Sequence, residues 1–78
     1  MTKAKIYPSL IQDELFIRQE GDLNFNSVKI YDSYGQLVLD QALQIPFAEI
    51  DCRGLESGMY FIRLSGQGDE QLDKVIKY

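Results

Sequence analysis

The side chains able to do chemistry are few. The chain has no histidine, which removes the commonest general base, the commonest metal ligand and every Ser-His or Cys-His pair. Its single cysteine, Cys52, would need a neighbouring base or a lowered pKa to act as a nucleophile, whereas its alternation with Ile50 turns it toward a core. The carboxylates of Asp13-Glu14 and of Asp69-Glu70 are adjacent in sequence, so on a strand they point to opposite faces and cannot grip one substrate together. They read as solvated turn residues. Zinc finds almost no ligands. Calcium has candidate oxygen donors in Asp69, Glu70 and Asp73 beside a loop, but the spacing of a calcium-binding loop is missing. Gly66-Gln67-Gly68 is followed by acidic residues and a strand pattern rather than a helix start, which makes it a turn and not a phosphate cradle. Tyr31, Phe16 and Phe61 fall on outward positions, where aromatic rings either stack on a sugar or pair across strands. No residue is a catalytic or metal candidate, no cofactor is implied, and the chain reads as non-enzymatic.

The bulk properties narrow the remaining classes. Twelve Asp and Glu against eight Lys and Arg give a net charge of −4, which opposes attraction to a phosphate backbone and excludes nucleic acid as a partner. The longest apolar run, Met59 to Ile62, is far short of the ~20 residues that a membrane-spanning helix needs, so no transmembrane segment is expected. With 45% hydrophobic residues the chain is too apolar to stay disordered, and 78 residues make a single domain over 1–78. One cysteine cannot close an internal disulfide, so packing alone must hold the domain. Met1-Thr2-Lys3-Ala4-Lys5 has no apolar core of a signal peptide, which fits either a cytosolic protein or the end of a longer chain.

The elements that would position any site are strands. Leu15 and Ile17 alternate with Glu14 and Arg18, Val28 and Ile30 with Lys29 and Asp32, and Tyr60, Ile62 and Leu64 with Arg63. Ile6-Tyr7, Leu37 to Leu39, Ile50 with Cys52, and Leu72 to Tyr78 bring the total to about seven strands, the pattern of an antiparallel β-sandwich. Pro8 and Pro46 mark a strand's end and a strand's beginning. Asp32-Ser33-Tyr34-Gly35 predicts a tight hairpin between strands 28–32 and 36–41, with Asp32 accepting from the turn's amides and Gly35 at positive φ. In Leu55-Glu56-Ser57-Gly58-Met59-Tyr60 the expected structure is a corner: Leu55 drops into the core, Gly58 takes a conformation costly for a side chain, and Tyr60 fills the gap between sheets with its hydroxyl on a backbone partner.

Four stretches in order resemble one known family: Tyr7-Pro8 with Asp13-Glu14-Leu15-Phe16-Ile17 behind it, Val28 to Val38 with its Asp32-Ser33-Tyr34-Gly35 turn, Leu55 to Leu64, and Lys74-Val75-Ile76-Lys77-Tyr78. Together they are similar to the C-terminal sorting domain of the type IX secretion system, over essentially the whole chain. Ser9-Leu10 stands where that family has Asn-Pro. The resemblance implies an immunoglobulin-like sandwich and a secretion address. An upstream cargo in the same chain reaches the periplasm, the folded domain docks on the outer-membrane machinery, a sortase-like protease removes it, and the cargo ends at the cell surface or outside the cell. The residues implied in recognition are Lys74, Val75, Ile76, Lys77 and Tyr78, expected on an exposed edge strand that reads by backbone pairing and that also makes an edge-to-edge dimer conceivable. The competing reading is an immunoglobulin-like or fibronectin-like spacer, adhesive or carbohydrate-binding, in a cell-surface protein.

Overall fold

The computed structural model describes residues 4–19, 25–43, 47–66 and 68–78; the expectations placed on Pro46, on Gln67 and on the first three residues lie outside these. Eight strands run in chain order: β1 (Lys5–Tyr7), β2 (Leu10–Ile11), β3 (Glu14–Arg18), β4 (Ser27–Asp32), β5 (Leu37–Ala42), β6 (Phe47–Asp51), β7 (Gly58–Gly66) and β8 (Asp69–Lys77). No helix occurs among the described residues. They form a three-stranded sheet in the order β1-β3-β6 and a five-stranded sheet in the order β2-β8-β7-β4-β5. The fold is the β-sandwich that the alternation predicts, of the immunoglobulin-like kind that the resemblance implies. Its eighth strand is the two-residue β2, which lies parallel to the end of β8, with Leu10 beside Ile76 and Ile11 beside Lys77. Every other pairing is antiparallel.

The core follows from period-two alternation in facing strands. Leu15, Ile17 and Ile50 from the small sheet meet Val28, Ile30, Ile62, Leu64 and Val75 from the large one, all buried. Fully burying an aliphatic side chain of this size contributes ~1.5–3 kcal/mol, and these chains are what a domain without disulfides has to rely on. Pro8 follows β1, an edge strand of the small sheet, where a missing amide costs no ladder bond.

Two glutamines close the sandwich where strands do not pair. Gln19, one of the few buried polar side chains, continues the inward parity of Leu15 and Ile17 and binds both backbone groups of Phe25: its Oε1 accepts from Phe25 N at 2.7 Å and its Nε2 donates to Phe25 O at 2.9 Å. Gln71 of β8 does the same for Ala4 at the start of the other sheet, accepting from its N at 2.9 Å and donating to its O at 3.0 Å. Each amide side chain stands in for a strand partner, and neither buried end is left unsatisfied.

Candidate functional site

The β4–β5 hairpin and the β6–β7 corner meet at one end of the sandwich. At the hairpin, Asp32 Oδ1 accepts from Tyr34 N and from Gln36 N, both at 2.9 Å, while Gly35 N donates to Asp32 O at 3.0 Å. Gly35 closes the turn at φ +87°. The corner begins with Leu55 N donating to Cys52 O at 3.1 Å, which sets half-buried Leu55 against the core. Gly58 at φ +147° then opens β7, and Tyr60 lies buried with its hydroxyl donating to Glu56 O at 2.7 Å. Burial, first, and the Glu56 carboxylate, second, raise the phenol above its ordinary pKa. Between hairpin and corner lies a cleft of about 500 Å³, walled by Asp32, Tyr34, Val38 and the residues from Gly54 to Tyr60. Asp32 is occupied by backbone amides and the Tyr60 hydroxyl by a backbone carbonyl, so neither is paired with the other kind of group as base and nucleophile.

The remaining chemistry-capable groups are dispersed. Cys52 is fully buried beside Ile50, and desolvation raises its thiol pKa, with Asp51 adding to the effect. Asp51 itself is held at about 2 by the side chain of Arg53, whose Nε and Nη2 donate at 3.0 and 2.9 Å, and by the Arg53 amide at 3.0 Å. Asp13, Glu14, Glu49 and Asp51 border one open hollow together with that arginine. Glu70 takes a 2.8 Å bond from Arg63, which lowers its pKa, and Asp73 accepts from Gln71 at 2.7 Å. Among the described residues no three potential ligands converge on a metal position.

The two roles open to the outward aromatics separate here. Phe16 is sandwiched between Tyr7 and Phe47, with centroids 5.6 and 5.9 Å apart and interplanar angles of 29° and 20°. Both faces of Phe16 are spent on neighbouring rings, so it offers no face to a sugar. Tyr31 and Phe61 are direct cross-strand neighbours on β4 and β7.

The C-terminal strand differs from the expected exposed edge over its last three residues. Residues 76–78 lie between β7 and β2, with Ile76 N donating to Ser9 O at 2.9 Å and Tyr78 N to Ile11 O at 2.7 Å, whereas Lys74 and Val75 pair with β7. Ile11 is buried against the core and so holds the two-residue β2 beside the end of β8. The strand's side chains split by parity: Val75 points inward and is buried, whereas Lys74 and Ile76 point outward. Lys77 shares the inward parity at the rim, close enough to Cys52 to lower its thiol pKa in part. The reading of the sequence missed β2, Gln19 and Gln71. The parity of Gln19 with Ile17 was the available signal for the second; a two-residue parallel strand leaves none.

These features define a class: a small immunoglobulin-like module with tight turns at one end, dispersed acid and base groups, and a last strand that β2 covers at its end. A family model described as the secretion system C-terminal sorting domain matches residues 5–78. The chain belongs to that family, and it is a sorting signal of type IX secretion that directs its carrier to the cell surface or the extracellular space. No curated protein sequence matches the chain. Among solved structures it is similar to PorZ, an essential bacterial surface component of the type IX secretion system of Porphyromonas gingivalis, with TM-score 0.75 and 22% identity over 96% of this chain. The chain spans 11% of the length of that protein, and the likeness carries the fold.

Proposed function

We propose that residues 1–78 act as one folded, non-catalytic address, attached behind a cargo that enters the periplasm, read there by the outer-membrane machinery and then cut away by a sortase-like protease. The observation that carries this reading is the family match over residues 5–78 on a sandwich whose acids and bases are dispersed. Lys74, Val75, Ile76, Lys77 and Tyr78 are the proposed recognition strand. Their support is positional: β7 pairs along Lys74 to Lys77 and β2 adds a second partner at Ile76 and Lys77, so the strand's outward side chains are displayed together only by the folded domain. An address that exists only in the native state lets the machinery reject an unfolded domain.

The test is a periplasmic reporter carrying this chain at its C-terminus, expressed in a bacterium that possesses type IX machinery. The expected result is reporter at the surface or in the medium, shortened by the mass of the domain. A reporter retained in the periplasm, uncleaved and folded, beside an exported family member in the same cell, overturns the reading and leaves a structural spacer.

A further inference from the structure

The outer face of the five-stranded sheet is unusually apolar. Strand register places its side chains in three consecutive rows. Leu10, Ile76 and Met59 form the first. Lys74, Phe61, Tyr31 and Leu37 form the second, and Leu72, Arg63, Lys29 and Asp40 the third. Leu10, Leu37, Met59, Phe61, Leu72 and Ile76 are all exposed, although single scattered apolar residues are the rule on a monomer's surface. The composition, with aromatics, methionine and arginine at its centre, is that of an interface core.

Charge and size say what covers this face. The chain is acidic overall, yet the three rows carry Lys74, Arg63 and Lys29 against Asp40 alone. Arg63 is paired with Glu70 from the next row and Lys29 stands opposite Asp40, whereas Lys74, beside Phe61, has no carboxylate partner among the described residues. A second copy packed face to face would bring this basic centre against itself. At ordinary sheet spacing the patch measures roughly 19 by 14 Å, well under the ~800 Å² that each side of a stable interface covers. That area suits a transient partner and not a permanent dimer.

We propose that this face, with Phe61 and Lys74 at its middle, is the surface through which the sorting machinery reads the domain, and that the partner is a protein surface with an apolar patch and a carboxylate set to meet Lys74. The inference rests on the sorting reading and replaces backbone pairing at the β8 edge, which β2 covers over residues 76–78, by recognition of the strand's outward face.

The experiment compares single variants of the reporter fusion in a host with the machinery. Phe61→Gln and Lys74→Glu change the proposed face, and Phe47→Gln changes the outer face of the other sheet at similar exposure, 49% against 40% for Phe61. Melting curves of each purified fusion establish that it is folded. Export at least tenfold below wild type for Phe61→Gln and for Lys74→Glu, with Phe47→Gln exported as wild type, is the expected result. Because a charge reversal on the surface leaves the ladder intact, Lys74→Glu decides the matter even if Phe61→Gln melts early. Export of folded Lys74→Glu at the wild-type level overturns the proposal while the sorting reading stands. Equal loss in all three variants overturns it too, since the face would then have no special part. A wild-type fusion that stays in the periplasm overturns the sorting reading and this inference together.

Discussion

The Tyr60 hydroxyl donates to the Glu56 carbonyl at 2.7 Å, four residues upstream, so the ring that fills the gap between the sheets also fixes the corner from which its own strand departs. Tyr60→Phe keeps the ring and removes the bond. The expected cost is about 1 kcal/mol, the usual net value of one such hydrogen bond. That corresponds to a fall in Tm of about 4–8 °C for a domain of this size. The phenol also gives a pH signature. Its folded pKa is raised above the ordinary 10, so the stability it contributes is complete below pH 10 and is lost as pH rises through the folded value. Urea unfolding at a series of alkaline pH values should show this loss in the wild type, and Tyr60→Phe should lack the part that belongs to this group.

Asp51 and Arg53 make the opposite case. The Asp51 carboxyl is held at about 2 by Arg53, so the interaction is present above the ordinary carboxylate value of 3.8 and fades as pH falls toward 2. Both groups are exposed, and the effect on stability is expected to be small. The readout is therefore the titration itself: carboxyl chemical shifts should give an Asp51 midpoint near 2, returning to the ordinary range in Arg53→Ala. An unchanged midpoint would show that the ion pair does not form in solution.

Gly58 and Gly66 bracket β7 and should tolerate alanine differently. A Cβ on Gly58 would meet nothing within 4 Å, so the cost is only that of φ +147°. A Cβ on Gly66 would lie 2.7 Å from Asn26 N, a backbone atom that cannot swing aside. Gly58→Ala is expected to destabilise by about 1 kcal/mol or somewhat more, and Gly66→Ala by a clearly larger amount. Chemical denaturation of the two variants side by side tests the order; a Gly66→Ala as mild as Gly58→Ala would mean that the strand end can move away from Asn26.

Much of this fold is legible in the sequence because a half-buried strand writes its burial as a period of two. Leu15, Ile17, Ile62 and Leu64 could hardly sit otherwise, and the parity of Ile50 carries Cys52 inward with it. Of what escaped notice, Gln19 shares the parity of Ile17, whereas β2 and the Gln71 contact have no periodic signature. Two residues cannot display an alternation, so Leu10-Ile11 looks like loop, and its parallel partner at Ile76-Lys77 is almost the whole chain away. The role of Gln71 leaves no local signal either, because its bonds to Ala4 are tertiary. The candidate recognition strand was visible as a strand, but whether it is an edge depends on β2, which pairs with it at Ile76 and Lys77.

Cys52 gives a direct check on that parity. It is fully buried, and burial raises its thiol pKa, so little thiolate exists at neutral pH and reagent cannot approach it. A thiol reagent should label the native domain at least a hundredfold more slowly than the urea-unfolded one. Labelling at equal rates would place Cys52 on the surface and undo the face assignment of β6.

The β2–β8 pairing predicts that truncation and recognition are easily confused. Removing Lys74 to Tyr78 deletes buried Val75, breaks the bonds from Ile76 N and Tyr78 N, and strips β7 of its partners from Gly58 to Phe61. It also releases Ile11, which has only 1% of its surface exposed while β2 is anchored. Val75 and Ile11 alone represent ~1.5–3 kcal/mol each, and a small domain has ~5–15 kcal/mol of stability in total. The truncated chain should therefore lose its cooperative melting transition and the far-ultraviolet circular dichroism of β-sheet. Lys74→Glu keeps every ladder bond and should melt within about 0.5 kcal/mol of the wild type. A truncated chain that still melts near the wild-type temperature would show that β2 and the end of β8 are dispensable to the sandwich. If it is unfolded, its failure to be exported says nothing about which side chains the machinery reads, and only substitutions on an intact ladder can.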